Sequence, residues 1–418
     1  MANTNNNKSL NVPILRFPEF TGEWRQDLME NVTERIGDGI HSTPTYNEYG
    51  DYFFINGNNL VDGKIKIFNN TQKVTKEEAL KQNANVLCDN SLLLSINGTI
   101  GNVAIYNNER IMLGKSACYI NPSAKILRDF LFFYLQNSKI QKYFILELTG
   151  STIKNLSLTS IKNTKLRLPS IQEQAKIAKL LRAIDERIAT QNKIIGDLKK
   201  LKSAIIDKSF CYPNESSPQK RFTDFTEEWH LVHLSDICQR VRTKNFNTQC
   251  TLVLTIAAQF GLVSQEEFFN KSVASDNLEG YYLLQKGDFA YNKSYSGDYA
   301  WGAVKRLECF SEGVLSPLYI CFRPDTARID SDFLAHYFES KKWYKGIADI
   351  AGEGARNHGL LNLSVIDYFK TLHRIPSIQE QKVIANVLNK LTSKISIEKN
   401  LYDDLLLQRQ HLLQQMFI

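Results

Sequence analysis

Along two stretches of the chain, apolar residues recur at alternating spacings of four and three. In the first the stripe is Ile177, Leu181, Ile184, Ile188, Gln191, Ile195, Leu198, Lys202 and Ile205. In the second it is Ile384, Leu388, Leu391, Ile395, Glu398, Tyr402, Leu405, Arg409 and Leu412. Each stripe is apolar at seven of nine places, and the polar exceptions fall at the same positions, Gln191 with Glu398 and Lys202 with Arg409. A three–four alternation held this long predicts a coiled-coil seam rather than the buried face of an ordinary surface helix. The competing expectation is two separate amphipathic helices, each packed on its own domain. A Pro opens each stretch, where it suits a first helical turn, and Gly196 is the one helix-weakening residue that follows. At about 1.5 Å per residue each helix would run roughly 60 Å.

The two stretches are copies of each other. Pro169-Ser170-Ile171-Gln172-Glu173-Gln174 returns letter for letter as Pro376-Ser377-Ile378-Gln379-Glu380-Gln381, and the ungapped match to Phe210 and Phe417 keeps 13 of 42 positions. Asn155-Leu156-Ser157 and Asn362-Leu363-Ser364 align at the same offset of 207. A second echo opens each half: Arg16-Phe17-Pro18-Glu19-Phe20-Thr21-Gly22-Glu23-Trp24 against Arg221-Phe222-Thr223-Asp224-Phe225-Thr226-Glu227-Glu228-Trp229, with six of nine identical. A repeat of this kind fixes the architecture. The chain is one unit written twice: opening segment, variable body, helical tail. The boundaries read 1–168 for the first body, 169–210 for its helix, 211–375 for the second body and 376–418 for the last helix. Each tail is the natural partner of the other, in parallel or antiparallel pairing. Antiparallel is expected, because Gln191 and Glu398 then meet near the middle and neither polar group lacks a partner.

Within the bodies the pattern turns short and mixed. Tyr52–Ile55, Val86–Ile96 and Ala117–Ile120 read as strands between Asn and Gly turns, and Phe130–Leu148 reads as a helix. Leu252–Ala257, Asp288–Tyr291 and Leu318–Phe322 read as strands in the second body, followed by a helix from Asp332 to about Ile350. The expected fold class is α+β: two tandem bodies with irregular sheets, joined by two long helices in an intramolecular antiparallel coiled coil.

Composition narrows the class without naming a function. With 43% hydrophobic and 23% charged residues, the 418-residue chain has the make-up of an ordinary globular protein. No apolar run reaches the roughly 20 residues of a membrane span, and the Asn-rich start is not a signal peptide. The seven cysteines form no C-x-x-C pair, so a reduced, cytoplasmic protein without structural zinc is expected. The net charge of +7 divides as +4 for residues 1–168, +4 for 169–210, −2 for 211–375 and +1 for 376–418. Nucleic-acid binding is permitted, and in the second body it would rest on a local basic strip.

Catalytic motifs are incomplete. Gly114-Lys115-Ser116 ends like a phosphate loop, but Glu109 stands where the leading Gly belongs. Asn121-Pro122-Ser123 begins like an adenine-methyltransferase motif and then lacks its second Pro and its aromatic residue. Pro324-Asp325 with Glu339-Ser340-Lys341 has nuclease spacing, but Glu339 and Lys341 fall in a helical pattern.

Two bodies each closed by a P-S-I-Q-E-Q helix resemble the specificity subunits of type I restriction–modification systems. Gly37-Asp38-Gly39-Ile40-His41-Ser42-Thr43-Pro44 looks like the early loop of that family's target-recognition domains. Asn97-Gly98-Thr99-Ile100-Gly101-Asn102 resembles its mid-domain turn, and Gly150-Ser151-Thr152-Ile153-Lys154-Asn155-Leu156 its loop before the last strand. Asn292-Lys293-Ser294-Tyr295-Ser296-Gly297 and Gly354-Ala355-Arg356-Asn357-His358-Gly359 occupy the equivalent places in the second half, which lacks the G-D-G-x-H-x-T-P loop. The resemblance implies a non-catalytic subunit that binds double-stranded DNA and reads a bipartite, asymmetric site, one half per body. It implies two modification subunits carrying S-adenosylmethionine and two restriction subunits using ATP with magnesium as partners, and no cofactor or metal on this chain. The helix pair would set the spacer. Competing classes are a self-contained nuclease or methyltransferase, and a structural adaptor.

Base edges are read by Arg, Lys, Asn, Gln, Ser and Thr, and phosphates are held by Lys, Arg, Ser, Thr and Tyr from loops. Candidates in the first body are His41, Ser42, Thr43, Tyr46, Asn97, Thr99, Ser151, Thr152 and Lys154. In the second they are Arg242, Lys244, Asn245, Asn292, Lys293, Ser294, Tyr295, Arg356, Asn357 and His358.

Overall fold

The computed structural model describes residues 11–82, 86–150, 154–222, 225–257, 261–271, 277–294, 299–351, 356–357 and 360–418, without the side chains of 356, 357 and 360. Two helices dominate it, Ile171–Ser209 with 39 residues and Ile378–Gln415 with 38. Both run unbroken through the expected stripes, and all eighteen stripe positions are buried or half-buried. The polar exceptions Gln191 and Glu398 are buried as well.

The chain divides into two compact units. One holds residues 1–192 with 400–418, the other 193–399. The first unit therefore takes the start of the central helix and the end of the C-terminal helix. Ile177, Leu181 and Ile184 share its core with Leu412, Leu413, Met416 and Phe417. Arg409 Nε donates to Asp185 Oδ1 at 2.5 Å across the two helices. In the second unit the assignment is reversed: Ile206 and Phe210, from the end of the central helix, share a core with Ile384 and Leu388 from the start of the other. The pairing is antiparallel.

Each unit is built on the same sheet. In the first, four antiparallel strands lie in the order Thr33–Asp38, Ala117–Pro122, Leu92–Ser95, Val103–Ile105. In the second the order is Cys238–Arg240, Ile320–Pro324, Phe289–Asn292, Ala303–Arg306. A two-stranded ribbon accompanies each, pairing Arg25–Leu28 with Lys165–Leu168 and His230–His233 with Leu372–Ile375. The opening segment of each body thus pairs with the strand that leads into its long helix. The core strands are buried on both faces, so they read as apolar runs rather than as clean alternation.

The expected helices over 130–148 and 332–350 each break in two. In the first body the helices are Arg128–Leu135 and Ser138–Leu146. Asn137 causes the break, because its side chain caps the second helix by accepting from Lys139 N. In the second body they are Ser331–Glu339 and Tyr344–Ile350, separated where Ser340 turns extended. Both breaks fall after an apolar face that already points at the sheet, so hydrophobic periodicity continues across them and conceals them.

The repeated hexapeptide and the repeated opening segment explain each other. Glu173, 1% exposed, receives Arg16 through Nε at 2.7 Å and Nη2 at 2.8 Å, and Trp24 Nε1 at 3.3 Å. Glu380, also 1% exposed, receives Arg221 through the same two nitrogens at 2.9 and 2.6 Å. The neighbouring glutamines serve the bodies. Gln174 Oε1 accepts from Leu127 N at 2.9 Å, and Gln381 Oε1 accepts from Asp330 N at 2.7 Å, at the start of the next helix in each case. Breaking a buried ion pair from one side leaves a desolvated charge and typically costs about 3–5 kcal/mol. Glu173→Ala is therefore expected to lower the urea stability of the first unit by roughly that amount, and Glu380→Ala that of the second. A loss below about 1 kcal/mol in either would show that the clasp does not hold the units closed.

The second unit also buries a titratable group. His373 lies between Tyr337 and Thr371, at 2.9 Å from Tyr337 Oη through Nδ1 and 2.8 Å from Thr371 Oγ1 through Nε2. Thr371 gives its own proton to Tyr368 O, so Nε2 carries the ring proton and Nδ1 accepts from the tyrosine. Burial, with a smaller push from His233, lowers the His373 pKa to about 3. The unfolded imidazole binds a proton near pH 6.5 while the folded one does not. Stability is thus full above about 6.5 and is lost as the pH falls from there towards about 3. Urea titrations from pH 7 to 4 should show this slope in the second unit, and His373→Gln should flatten it. An unchanged slope in that variant would assign the acid sensitivity elsewhere.

Candidate nucleic-acid interface

Sheet register sets which loops gather. In the first unit Cys118 faces both Asp38 and Leu94, so the segments that follow, 39–43 and 96–99, leave the same end of the sheet. Backbone bonds draw further loops to them. Ile40 N donates to Leu113 O at 2.9 Å, Gly114 N to Ile55 O at 2.8 Å, Ile96 N to Ser116 O at 3.0 Å and Leu156 N to Ile96 O at 2.9 Å. Gly39 is required for this: a Cβ there would stand 2.2 Å from Leu113 O. Loops 39–43, 55–57, 96–99, 114–116 and 154–156 thereby form one continuous surface.

On that surface His41, Ser42, Thr43 and Lys154 are exposed. His41 Nε2 lies 2.8 Å from Asp38 Oδ2, which orients the ring. Thr99 is committed within the protein, since its hydroxyl donates to Gly57 O at 3.0 Å and meets Ser95 Oγ at 3.1 Å. The half-buried Asn97, with its amide turned to donate, reaches Asn155 Oδ1 at 2.7 Å and ties two of the loops together. Tyr46 stands at the far end of the strand Tyr52–Ile55, bridged to Val74 with its ring edge-on to Phe54 at 5.7 Å. Ser151 and Thr152 lie outside the described residues.

The second unit presents its candidates at the same end of the same sheet. Arg240 faces Phe322 and Tyr291 faces Ile320, so Arg242–Asn245 and Asn292–Ser294 leave together. The Gly-Asp-Gly loop of the first body thus has a counterpart in position, Arg242–Asn245, although its sequence differs. Leu361 N donates to Lys293 O at 3.0 Å, which brings up the short hairpin Arg356–Asn357 with Leu360–Leu361. Arg242 is exposed. Lys244 stands over the Tyr282 ring at 3.7 Å from its centroid and donates to Gly280 O at 2.6 Å. Asn292 Oδ1 accepts from Ser294 N at 2.9 Å, forming the turn. Tyr295 and His358 lie outside the described residues, as do the side chains of Arg356 and Asn357.

Asn245 requires a correction. It is fully buried, its amide donates to Cys250 O at 2.8 Å and its carbonyl accepts from Cys250 N at 3.0 Å. It shapes the loop and offers nothing to a ligand. Lys115 requires the opposite one. It is exposed in the gathered loops, between Gly114 and Ser116. The incomplete phosphate-loop trio was its signal, and the motif concealed it. Among the described residues no group of three or more His, Cys, Asp or Glu is placed to hold a metal ion.

Comparison with known proteins agrees with this geometry. Residues 31–200 match the model of the type I restriction modification DNA specificity domain. The chain is similar to type I restriction–modification specificity subunits, in its first half through this domain and over most of its length through the relatives that follow. Its relatives include the type I restriction enzyme MjaVIII specificity subunit of Methanocaldococcus jannaschii, 24% identical over 371 residues, covering 84% of this chain and 81% of that one. A second is the putative type I restriction enzyme MjaX specificity subunit of the same organism, 25% identical over 229 residues, covering 52% and 53%. The crystal structure of the type I restriction–modification S subunit from M. genitalium shares the fold, with TM-score 0.57 at 17% identity over 97% of this chain and 99% of the other.

Lysines that hold phosphates act by displacing counterions, each phosphate contact contributing about 0.9 to the slope of log affinity against log salt. The double variant Lys115→Ala, Lys154→Ala should therefore reduce the salt slope of duplex binding by about 2, read by fluorescence anisotropy on the full chain. An unchanged slope would remove both lysines from the interface.

Proposed function

We propose that this chain reads a bipartite, asymmetric DNA site, one half-sequence per body, and that the antiparallel helix pair sets the unread gap between the halves. The observation that carries this reading is that the two units share one sheet order and gather loops at the same end of it, while those loops differ in sequence. His41, Ser42, Thr43 and Lys154 in one body answer to Arg242, Lys244 and the 292–294 turn in the other. Different side chains on equivalent frames read different bases. The bodies of 1–168 and 211–375 act as the two target-recognition domains. The gathered loops supply positioning contacts from lysines and base contacts from Asn, Ser, Thr, His and Arg.

The chain brings no chemistry of its own. Modification subunits that use S-adenosylmethionine and restriction subunits that use ATP would assemble on it, two of each. The long helices suit both tasks, being uninterrupted for 39 and 38 residues and so stiff enough to act as a ruler. Among the described residues no helix is long and apolar enough to cross a membrane.

Methylation mapping of genomic DNA by the complex assembled with its modification subunits tests both parts. The intact chain should yield two unlike half-sequences separated by a fixed gap. Removing one heptad from each helix should change the gap and leave both half-sequences as they were. Altered half-sequences with an unchanged gap would contradict the ruler. A single uninterrupted target would contradict the two-reader account.

A further inference from the structure

The second unit contains a cavity of about 380 Å³ between the end of the central helix and the paired helices of the body. It is lined by the half-buried rings of Tyr299 and Tyr344 over the buried Ile206, Phe338 and Trp343, and by Lys199, Lys202, Lys305 and Lys341. The one carboxylate there, Glu339, is already engaged. Lys202 Nζ stands 2.8 Å from it and His336 Nδ1 3.3 Å. Burial pushes the Glu339 pKa up, but these two partners outweigh it and hold the carboxyl at about 2, so it is ionised. Four lysines against one carboxylate leave the cavity three charges positive. Burial lowers the Lys305 pKa, and Lys202 adds to that effect while Glu339 opposes it.

The first unit supplies an internal control. Phe130 and Phe333 meet their tryptophans at 6.1 Å in the same edge-on geometry, so the two bodies align at an offset of 203 through this helix. At that offset Gln136, Ser138 and Ile140 stand where Glu339, Lys341 and Trp343 stand. Along the long helices, at the repeat offset of 207, Leu406 and Arg409 replace Lys199 and Lys202. In the sheet, Ala104 faces Leu93 as Lys305 faces Ala290. The ion pair has a neutral counterpart in Arg409 Nη2 donating to Gln136 Oε1 at 2.7 Å. The same frame therefore closes without Lys199, Lys305, Lys341 or the indole, so folding does not demand them.

We propose that this cavity binds a mononucleotide, its phosphate among the lysines and its flat base against the half-buried rings of Tyr299 and Tyr344. A surplus of lysine charge at a sheltered opening selects a compact dianion, and aromatic rings in the lining take a planar body. The volume lies within the usual range for small-ligand sites, about 300–1,000 Å³. The reading is independent of how the bodies bind DNA.

Isothermal titration of the full chain with 5′-AMP, and with adenosine and inorganic phosphate separately, tests it. The expected result is binding of 5′-AMP at least tenfold tighter than either part, weakening as salt is raised. Lys199→Gln with Lys341→Gln, both at exposed positions, should weaken 5′-AMP at least tenfold with the thermal midpoint unchanged. Lys305→Gln should do the same from deeper in the cavity. Adenosine binding as tightly as 5′-AMP would overturn the proposal, as would retention of 5′-AMP affinity in the double variant. Duplex DNA competing 5′-AMP away would overturn it too, because the phosphate seat would then belong to the DNA backbone.

Discussion

The structure depends on each unit being closed by the far end of a helix that begins elsewhere in the sequence. Phe417, near the end of the C-terminal helix, sits against Phe130 at 5.4 Å and Tyr134 at 5.3 Å in the first unit. Phe210, at the end of the central helix, sits against Phe333 at 5.3 Å and Tyr337 at 5.7 Å in the second. These are the same position of the repeat, the last identity in the tail. Each buried phenylalanine contributes on the order of 1.5–3 kcal/mol from area alone, with aromatic geometry adding to it. At the other end of each helix the Arg–Glu clasp fastens the helix to its own body. Within each unit the start of one long helix packs on the end of the other, so the two run antiparallel there.

That constraint also accounts for the pattern of identity between the halves. Arg16, Trp24, Glu173, Gln174 and Phe210 are kept as Arg221, Trp229, Glu380, Gln381 and Phe417 because they make the attachments. The loops at the sheet ends make no attachment of this kind and are free to diverge, as the proposed reading of two unlike half-sequences requires. The same freedom allows the lysine-lined cavity to exist in one unit and be replaced by Gln136, Ser138 and Leu406 in the other.

Much of this could be read from the chain. The three–four spacing and the hexapeptide gave both long helices and their pairing, since a periodic stripe is a local signal repeated many times. Six strands lie where apolar runs between Asn and Gly point to them, although Val86–Ile96 starts six residues before the strand Leu92–Ser95; others, such as Thr33–Asp38 and Cys238–Arg240, carry no apolar run and were not legible. Three things were hidden, each for a physical reason. The helix breaks at Asn137 and Ser340 are caused by single capping or extended residues that leave the apolar period intact. The hexapeptide was visible as a repeat, but its purpose was not, because Arg16 and Glu173 are 157 residues apart in sequence. Among the loop candidates, residue type could not separate a polar group facing outward from one spent on bonds within the protein. Asn245 and Thr99 are of the second kind, and Lys115 was passed over although the fold places it among the gathered loops.

Hydrogen exchange on a chain ending after Lys399, compared with the intact chain, tests the closing role of the returning helix most directly. Without residues 400–418, amides in 128–146 and 171–192 should lose protection by orders of magnitude, while those of the sheet in 238–240, 289–292 and 320–324 keep theirs. Unchanged protection in 128–146 would mean that the first unit closes by itself, and that the antiparallel pair is not what the returning helix is there to complete.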